Sequence, residues 1–199
     1  MKIKPKAILF DMDGVLIDSL DSWWTSLNAA LKAFNYKEIS RDEFIEKYWG
    51  HDLYDNLKRM GLSEEIGSFC DTVYGEHIDA IKIYPYTKKV LDTLKIYKKG
   101  IITNTPKDCS KQIVKRFDIE KYFDVIITSD EVPKAKPYPD IVFRACQLLK
   151  VKPEKVVLVG DTDSDVKAGK AAGCIVIGVN IDADYKIKNI SELNKIIET

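Results

Sequence analysis

The stretch AILFDMDGVLIDS, residues 7–19, decides the fold. Four apolar residues, Ala7 to Phe10, run straight into Asp11 and Asp13, and Asp18 follows. A short apolar run with no polar alternation reads as a strand buried on both faces. A buried strand that ends in two carboxylates one residue apart places charge at the edge of a core. Gly14 beside them allows the backbone to turn sharply.

Similar runs recur downstream: Gly100–Thr103, Val125–Thr128, Val156–Gly160 and Cys174–Val179. Amphipathic stretches separate them. Val90, Leu91 and Leu94 form one apolar stripe; Val142, Ala145 and Leu149 form another. Lys107–Phe117 and Asp163–Ala172 also read as helices, and Ser191 is the expected cap of a last helix over Glu192–Glu198. Strand–helix alternation predicts an α/β fold: a Rossmann-like parallel sheet with helices on both faces. One gap breaks the alternation. Between Asp18 and about Tyr84 no strand-like run occurs. Ser22–Phe34, Ser40–Tyr48, Leu53–Met60 and Ser63–Ile83 read as helices, punctuated by Asn35, Gly50 and Gly61. The expected organisation is therefore an α/β core, residues 1–17 and 84–199, with an inserted helical segment, residues 18–83.

Composition narrows the function classes. The 199 residues suit one domain or a core with a modest insert. Lys+Arg and Asp+Glu are both 31, so the net charge is zero and no nucleic-acid partner is indicated. No apolar run reaches the roughly 20 residues of a membrane span. The N-terminal apolar run is too short and too soon acidic for a signal peptide. Cys70, Cys109, Cys146 and Cys174 form no CxxC pair, and the expectation is reduced thiols in a cytoplasmic protein.

Ligands of open α/β sheets bind at the carboxyl ends of the strands. Those ends carry Asp11 and Asp13, then Thr103-Asn104-Thr105, then Lys134-Ala135-Lys136-Pro137, then Gly160-Asp161-Thr162-Asp163-Ser164-Asp165. A parallel sheet brings these clusters to one edge. Carboxylates packed together need a cation, and all-oxygen ligands point to Mg²⁺. A cation, a lysine and a threonine hydroxyl match the oxygens of a phosphoryl group. One carboxylate then serves as nucleophile and a second as proton donor and acceptor. The Asp161–Asp165 run mimics an EF-hand loop, but Val166 and Ala172 stand where that loop needs Gly and Glu.

Asp11-Met-Asp13-Gly14-Val-Leu-Ile-Asp18-Ser19 resembles the first motif of the haloacid dehalogenase superfamily, in its phosphatase branch. Thr103-Asn104 resembles the second motif, Lys136-Pro137 the third, and Gly160-Asp161 with Asp165 the fourth. The helical insert resembles the small helical cap of that branch. The resemblance implies Asp11 as nucleophile and Asp13 as general acid and base. It implies phosphoryl contacts from Thr103, Lys136 and the backbone near Asn104, and Mg²⁺ held by Asp11, the Asp13 carbonyl and Asp161, with Asp165 supporting its water shell. Asp18 and Ser19 would fix the linker into the insert. His51, in the loop Trp49-Gly50-His51-Asp52, is the expected specificity residue. Of Trp23 and Trp24, one is expected in the helical core and the other beside substrate. Lys134 competes with Lys136, and Thr105 less seriously with Thr103.

The reading is a Mg²⁺-dependent phosphatase acting on a small phosphorylated metabolite, as a monomer or homodimer. A phosphomutase of the β-phosphoglucomutase type is the main alternative. A non-catalytic binding protein on the same scaffold is the weaker one, because such a protein has no chemical reason to keep a nucleophile, an acid and a metal ligand together.

Overall fold

A computed structural model of the chain describes residues 2–199. Strand β1 (Ala7–Phe10) leads into a two-residue strand β2 (Ile17–Asp18). Helices α1 (Leu20–Ala33), α2 (Arg41–Lys47), α3 (Leu53–Met60) and α4 (Glu64–Glu76) follow, and then β3 (Lys82–Ile83). The chain continues through α5 (Thr87–Thr93), β4 (Lys98–Thr103), α6 (Lys107–Arg116), β5 (Val125–Thr128), α7 (Asp140–Leu149), β6 (Val156–Gly160), α8 (Asp163–Ala172), β7 (Ile175–Val179), β8 (Tyr185–Ile187) and α9 (Leu193–Ile196).

The main sheet is parallel, in the order β5-β4-β1-β6-β7-β8. From β1 the chain first builds outward through β4 and β5. It then returns to the other side of β1 and builds outward through β6, β7 and β8. This reversal is the topological switch point of a Rossmann-like sheet, where a crevice opens outside the strand ends. All four residues of β1 are fully buried. Ile8 and Phe10 pack on one face of the sheet, and Ala7 and Leu9 on the other, as strand alternation requires. The near-continuous apolar runs thus mark strands covered on both sides.

The local signals act as expected for most helices. Ser40 accepts from the Glu43 amide and caps α2; Asp52 accepts from the Tyr54 and Asp55 amides and caps α3. Thr162 and Asp165 form a capping box at the start of α8. The helices α1 to α4 bury a core of their own around Leu27, Leu31, Phe44, Leu57 and Ile66.

Three readings need correction. The segment 18–83 is not wholly helical: β2 and β3 pair antiparallel, Ile17 with Ile83 and Asp18 with Lys82. Two residues carry too little pattern to register as a strand in sequence. The expected helix Ser63–Ile83 stops at Glu76, and Arg116 of α6 donates to the carbonyls of Ile78, Asp79 and Ile81 beyond it. At the C-terminus, Asn189 rather than Ser191 accepts the capping bond, and α9 is a single turn. No helix among the described residues is long and apolar enough to cross a membrane.

Leu158 in β6 is fully buried between β1 and β7. Leu158→Ala should cost about 2–5 kcal/mol of stability, read as a lower midpoint in chemical denaturation. An unchanged midpoint would contradict the packing described for the sheet centre.

Candidate active site

Four strand ends meet beside the switch point. Asp11 follows β1, Thr103 ends β4, Lys136 lies in the loop after β5, and Asp161 follows β6. Lys136 is almost fully buried, and it uses all three ammonium hydrogens: on Asp11 Oδ1 at 2.8 Å, Asp165 Oδ1 at 2.7 Å and the Ile102 carbonyl at 3.2 Å. The Lys136–Pro137 peptide is cis. Asn104 clamps this loop through its side-chain amide, which donates to the Lys136 carbonyl and accepts from the Lys136 amide. Lys134 is exposed and lies over the Tyr138 ring. The lysine that enters the cluster is therefore Lys136.

Asp11 also accepts from the Met12 amide at 2.7 Å through the same Oδ1. Its Oδ2 receives no hydrogen bond from the described residues. Asp165 is fully buried and committed: Lys136 holds Oδ1, and the Thr162 amide and hydroxyl hold Oδ2. Asp161 accepts one bond, from the indole N–H of Trp49 at 3.3 Å to Oδ2. Its Oδ1 is buried with no partner. Carboxylate oxygens of Asp11, Asp161 and Asp165 lie within 4.8 Å of one another. The donor set is all oxygen, and an orphaned buried carboxylate oxygen is a costly feature unless something binds it. These residues fit a hard divalent cation. Gly14 makes the room: its φ is +76°, and a Cβ there would sit 2.1 Å from Asp161 Oδ2.

Asp13 faces elsewhere. Ser19 donates to Oδ1 at 2.5 Å, and Tyr74 of α4 reaches the same oxygen at 3.5 Å. Thr103 and Thr105 donate to Oδ2 at 3.1 and 2.7 Å. The Asp13 carboxylate is thus held by four hydroxyls, apart from the Asp11–Asp161–Asp165 cluster. Asp18 is exposed and stays out of the site, whereas Ser19 is buried.

Electrostatics follow from crowding. Burial, then repulsion from Asp165, pushes the Asp11 carboxyl well above the usual carboxylate range, against the pull of Lys136. The same two causes push Asp161 up to about 7. Burial works to lower the Lys136 ammonium, but Asp11 and Asp165 outweigh it and raise it.

Over the cluster lies a cavity of about 50 Å³, bounded by Asp11, Asp13, Thr103 and Lys136 below and by α1, α2, α3 and the α2–α3 loop above. His51 lines it from that loop, with Nδ1 3.2 Å from Ser164 Oγ. Of the two adjacent tryptophans, Trp23 lines the cavity and stacks on Tyr74 at 3.8 Å, while Trp24 bonds the Ile39 carbonyl within the helical core. Sequence reasoning brought Asp11, Asp13, Thr103, Lys136, Asp161, Asp165 and His51 together. It undervalued Thr105 and missed Tyr74 and the Trp49 bond. Only the period-2 spacing of Thr103 and Thr105 hinted at any of these.

A family model described as haloacid dehalogenase-like hydrolase matches residues 8–179. Among curated proteins, phosphoglycolate phosphatase of Aquifex aeolicus (strain VF5) is 33% identical over 175 residues, 84% of this chain and 81% of the relative. Pyrophosphatase PpaX of Bacillus cereus (strain Q1) is 28% identical over 176 residues, 86% of this chain and 81% of the relative. Among solved structures, a hydrolase from Pseudomonas syringae superposes with a TM-score of 0.84 at 21% identity, covering 97% of this chain and 100% of that one. A variant of CbbY from Rhodobacter sphaeroides, in complex with xylulose-1,5-bisphosphate, superposes with a TM-score of 0.84 at 21% identity, covering 94% and 96%.

The raised carboxyls make the metal-free protein sensitive to pH. An unfolded Asp titrates at about 3.9. Folding therefore favours protonated Asp161; that contribution is complete below about pH 4 and is lost as pH rises through about 7. Asp11 acts in the same direction. In chelator, the melting temperature should fall between pH 5 and 8 by several degrees more in wild type than in Asp161→Asn, and divalent cation should restore it in wild type alone. Equal slopes in the two proteins would contradict the crowding described here.

Proposed function

We propose that this chain, which belongs to the haloacid dehalogenase-like hydrolases in their phosphatase branch, hydrolyses small phosphomonoesters through a phosphoryl-Asp11 intermediate and uses Mg²⁺. The observation that carries the reading is Asp11 itself: a carboxylate with one oxygen fixed by Lys136 and Met12 and the other unbonded among the described residues, at the floor of the cavity beneath the helical segment.

In this reading Asp11 and Asp161 would hold the metal ion, with the Asp13 carbonyl and the Asp165-ordered surroundings completing its shell. When bound, the ion offsets phosphate charge and polarises the phosphoryl oxygens. The remaining work falls to the chain's own side chains. An Asp11 carboxylate oxygen attacks phosphorus, and the bond from phosphorus to the ester oxygen breaks. Asp13 gives its proton to the departing alkoxide. Asp13 then takes a proton from water, the water oxygen attacks phosphorus, and the Asp11–phosphorus bond breaks to release phosphate. The Lys136 charge would offset negative charge on the non-bridging oxygens, and the Thr103 hydroxyl would meet one of them by turning its single hydrogen away from Asp13 Oδ2, which Thr105 still holds. Thr105, Ser19 and Tyr74 keep Asp13 aimed between these steps.

The segment 18–83 would act as a cap on a core of residues 1–17 and 84–199, with β2 and β3 as its two crossings. It would exclude water and shape the space for the leaving group. Two observations support a small substrate. A cavity of about 50 Å³ has room for roughly three to five waters. Aromatic and aliphatic side chains of the insert form its upper wall.

The test is phosphate release from small phosphomonoesters with and without Mg²⁺. Wild type should show metal-dependent release, and Asp11→Asn should lose about a thousandfold or more in kcat. Asp13→Asn should lose more activity toward alkyl esters than toward aryl esters, whose better leaving group needs less protonation. An Asp11→Asn protein with wild-type turnover would remove Asp11 from the nucleophile's role.

A further inference from the structure

The charged groups around the cavity are unevenly distributed. Asp11, Asp13 and Lys136 all belong to the sheet end. The helical segment contributes Trp23, Leu27, Phe44, Tyr48, Trp49 and Leu53. It contributes no Lys, Arg, Asp or Glu among the described lining residues. Its polar members include Asn56, His51 and the Tyr48 hydroxyl. Asn56 is already spent: its Nδ2 donates to the Tyr48 carbonyl at 2.9 Å, and its Oδ1 accepts from Arg59 at 3.3 Å.

The neighbouring cations are engaged outside the cavity. Arg59 donates to Asn56 and to the Lys47 carbonyl at 3.1 Å, and its guanidinium lies 6.0 Å from the Tyr48 ring centroid. Arg41 pairs with Asp21 at 2.6 Å, and Lys167 pairs with Asp163 at 2.5 Å. Burial, then Arg59 and Lys167, lower the affinity of His51 for a proton. Its Nδ1 meets Ser164, which leaves His51 Nε2 and the Tyr48 hydroxyl as polar groups of the upper wall without a partner among the described residues. Gly50 keeps the loop pressed to the core: with φ at +76°, a Cβ there would come within 2.3 Å of the Thr162 methyl.

A leaving group in this cavity lies against indole, phenol, phenyl and aliphatic surface on its upper side. A carboxylate on that group would be desolvated with no cation to meet it, and it would face the Asp11 and Asp13 charges. A hydroxyl on the same carbon frame needs only a neutral partner, which His51 Nε2 or the Tyr48 hydroxyl supplies, while its C–H surface packs on the aromatic wall.

Resting on the phosphatase reading above, we propose that the leaving group of the substrate is a short uncharged alcohol bearing a hydroxyl, and that the site discriminates against phosphoesters of hydroxy acids. The discrimination resides in the insert, not in the phosphoryl site. The tolerated class is short polyol and small sugar phosphates.

Matched pairs test this. Hydroxyethyl phosphate and phosphoglycolate differ only in a CH₂OH replacing a carboxylate, as do glycerol 1-phosphate and 3-phosphoglycerate. A generic aryl phosphate serves as the control for phosphatase chemistry. For wild type with Mg²⁺, kcat/KM should favour the neutral member of each pair by at least about tenfold, which is about 1.4 kcal/mol. His51→Lys adds a cation to the upper wall and should move both ratios toward the acid by about tenfold, chiefly through KM. Equal or better use of the acids by wild type would overturn the inference and leave the phosphatase reading standing. Hydrolysis of the aryl phosphate with none of the four esters used would overturn it as well. No hydrolysis of any compound would take down the phosphatase reading and this inference together.

Discussion

The ammonium of Lys136 is the interaction on which the site depends. It lies between Asp11 and Asp165 with both distances below 3 Å, and water barely reaches it. Removing a lysine from water is costly, and so is burying two carboxylates. Each is tolerable only because the other is there. The arrangement also fixes geometry. With Oδ1 of Asp11 tied to Lys136 and to its own neighbour's amide, the carboxylate cannot rotate freely, and Oδ2 keeps one direction. Asp165, drawn between Lys136 and the α8 cap, links the first turn of a helix to the lysine's position. The strand ends thus form one charged unit whose parts come from β1, the loop after β5 and the start of α8. One lysine does not neutralise Asp11, Asp161 and Asp165 together, and the residual negative charge is what makes a divalent cation chemically apt.

A second set of contacts ties this unit to the helical insert. Asp13 is bonded by Ser19 at the entry to the insert and approached by Tyr74 from α4. Trp49 reaches from the far end of α2 to Asp161. These bonds join the roof of the cavity to the two sides of the charged cluster. They hold only while the insert is down on the sheet. An insert displaced by a few ångströms would return Asp13 and Asp161 to water, where their charges are far less costly. Contact with the insert therefore bears on the electrostatics of the site: burial raises the proton affinity of Asp161, and the Trp49 bond works against that rise. Thr103 and Thr105 hold Asp13 from the core side and do not depend on closure.

Much of this was legible in sequence because it is encoded locally. Runs such as Val156–Gly160 and caps such as Thr162 and Asp52 declare themselves within a few residues. The parallel sheet then does the rest, since it carries every strand end to one edge. That logic placed Asp11, Asp13, Thr103, Lys136 and Asp161 together with no contact information. What escaped was of a different kind. The β2–β3 pair has two residues a side, and its partners are 66 positions apart at Ile17 and Ile83. The bonds of Tyr74 to Asp13 and Trp49 to Asp161 span 61 and 112 positions. A tyrosine in an amphipathic helix and a tryptophan before a glycine look like packing residues, and nothing local distinguishes them. Asn104 was expected to contribute backbone N–H groups; the further use of its side chain on the backbone of Lys136 was not foreseen, and it follows because a loop that carries a buried ammonium must itself be anchored.

The division of labour in the cavity follows from this difference in encoding. The phosphoryl end of any substrate is the same, so the residues that meet it can be fixed by the sheet and its tightly bonded strand ends. The other end of the substrate varies, and it is met by helices that have their own small core and few bonds to the sheet. Substitutions at Leu27, Phe44 or Leu53 change the size and polarity of the roof without touching Lys136 or its partners. A charged group placed there would have to be accommodated against Asp11 and Asp13 below, which favours a cation and opposes an anion. An insert whose described lining carries aromatic and aliphatic groups, the Tyr48 hydroxyl, Asn56 and one imidazole, but no carboxylate, ammonium or guanidinium, leaves that potential uncorrected. The negative floor and the uncharged roof together therefore impose on the leaving group the same condition from both sides: it enters without a negative charge of its own.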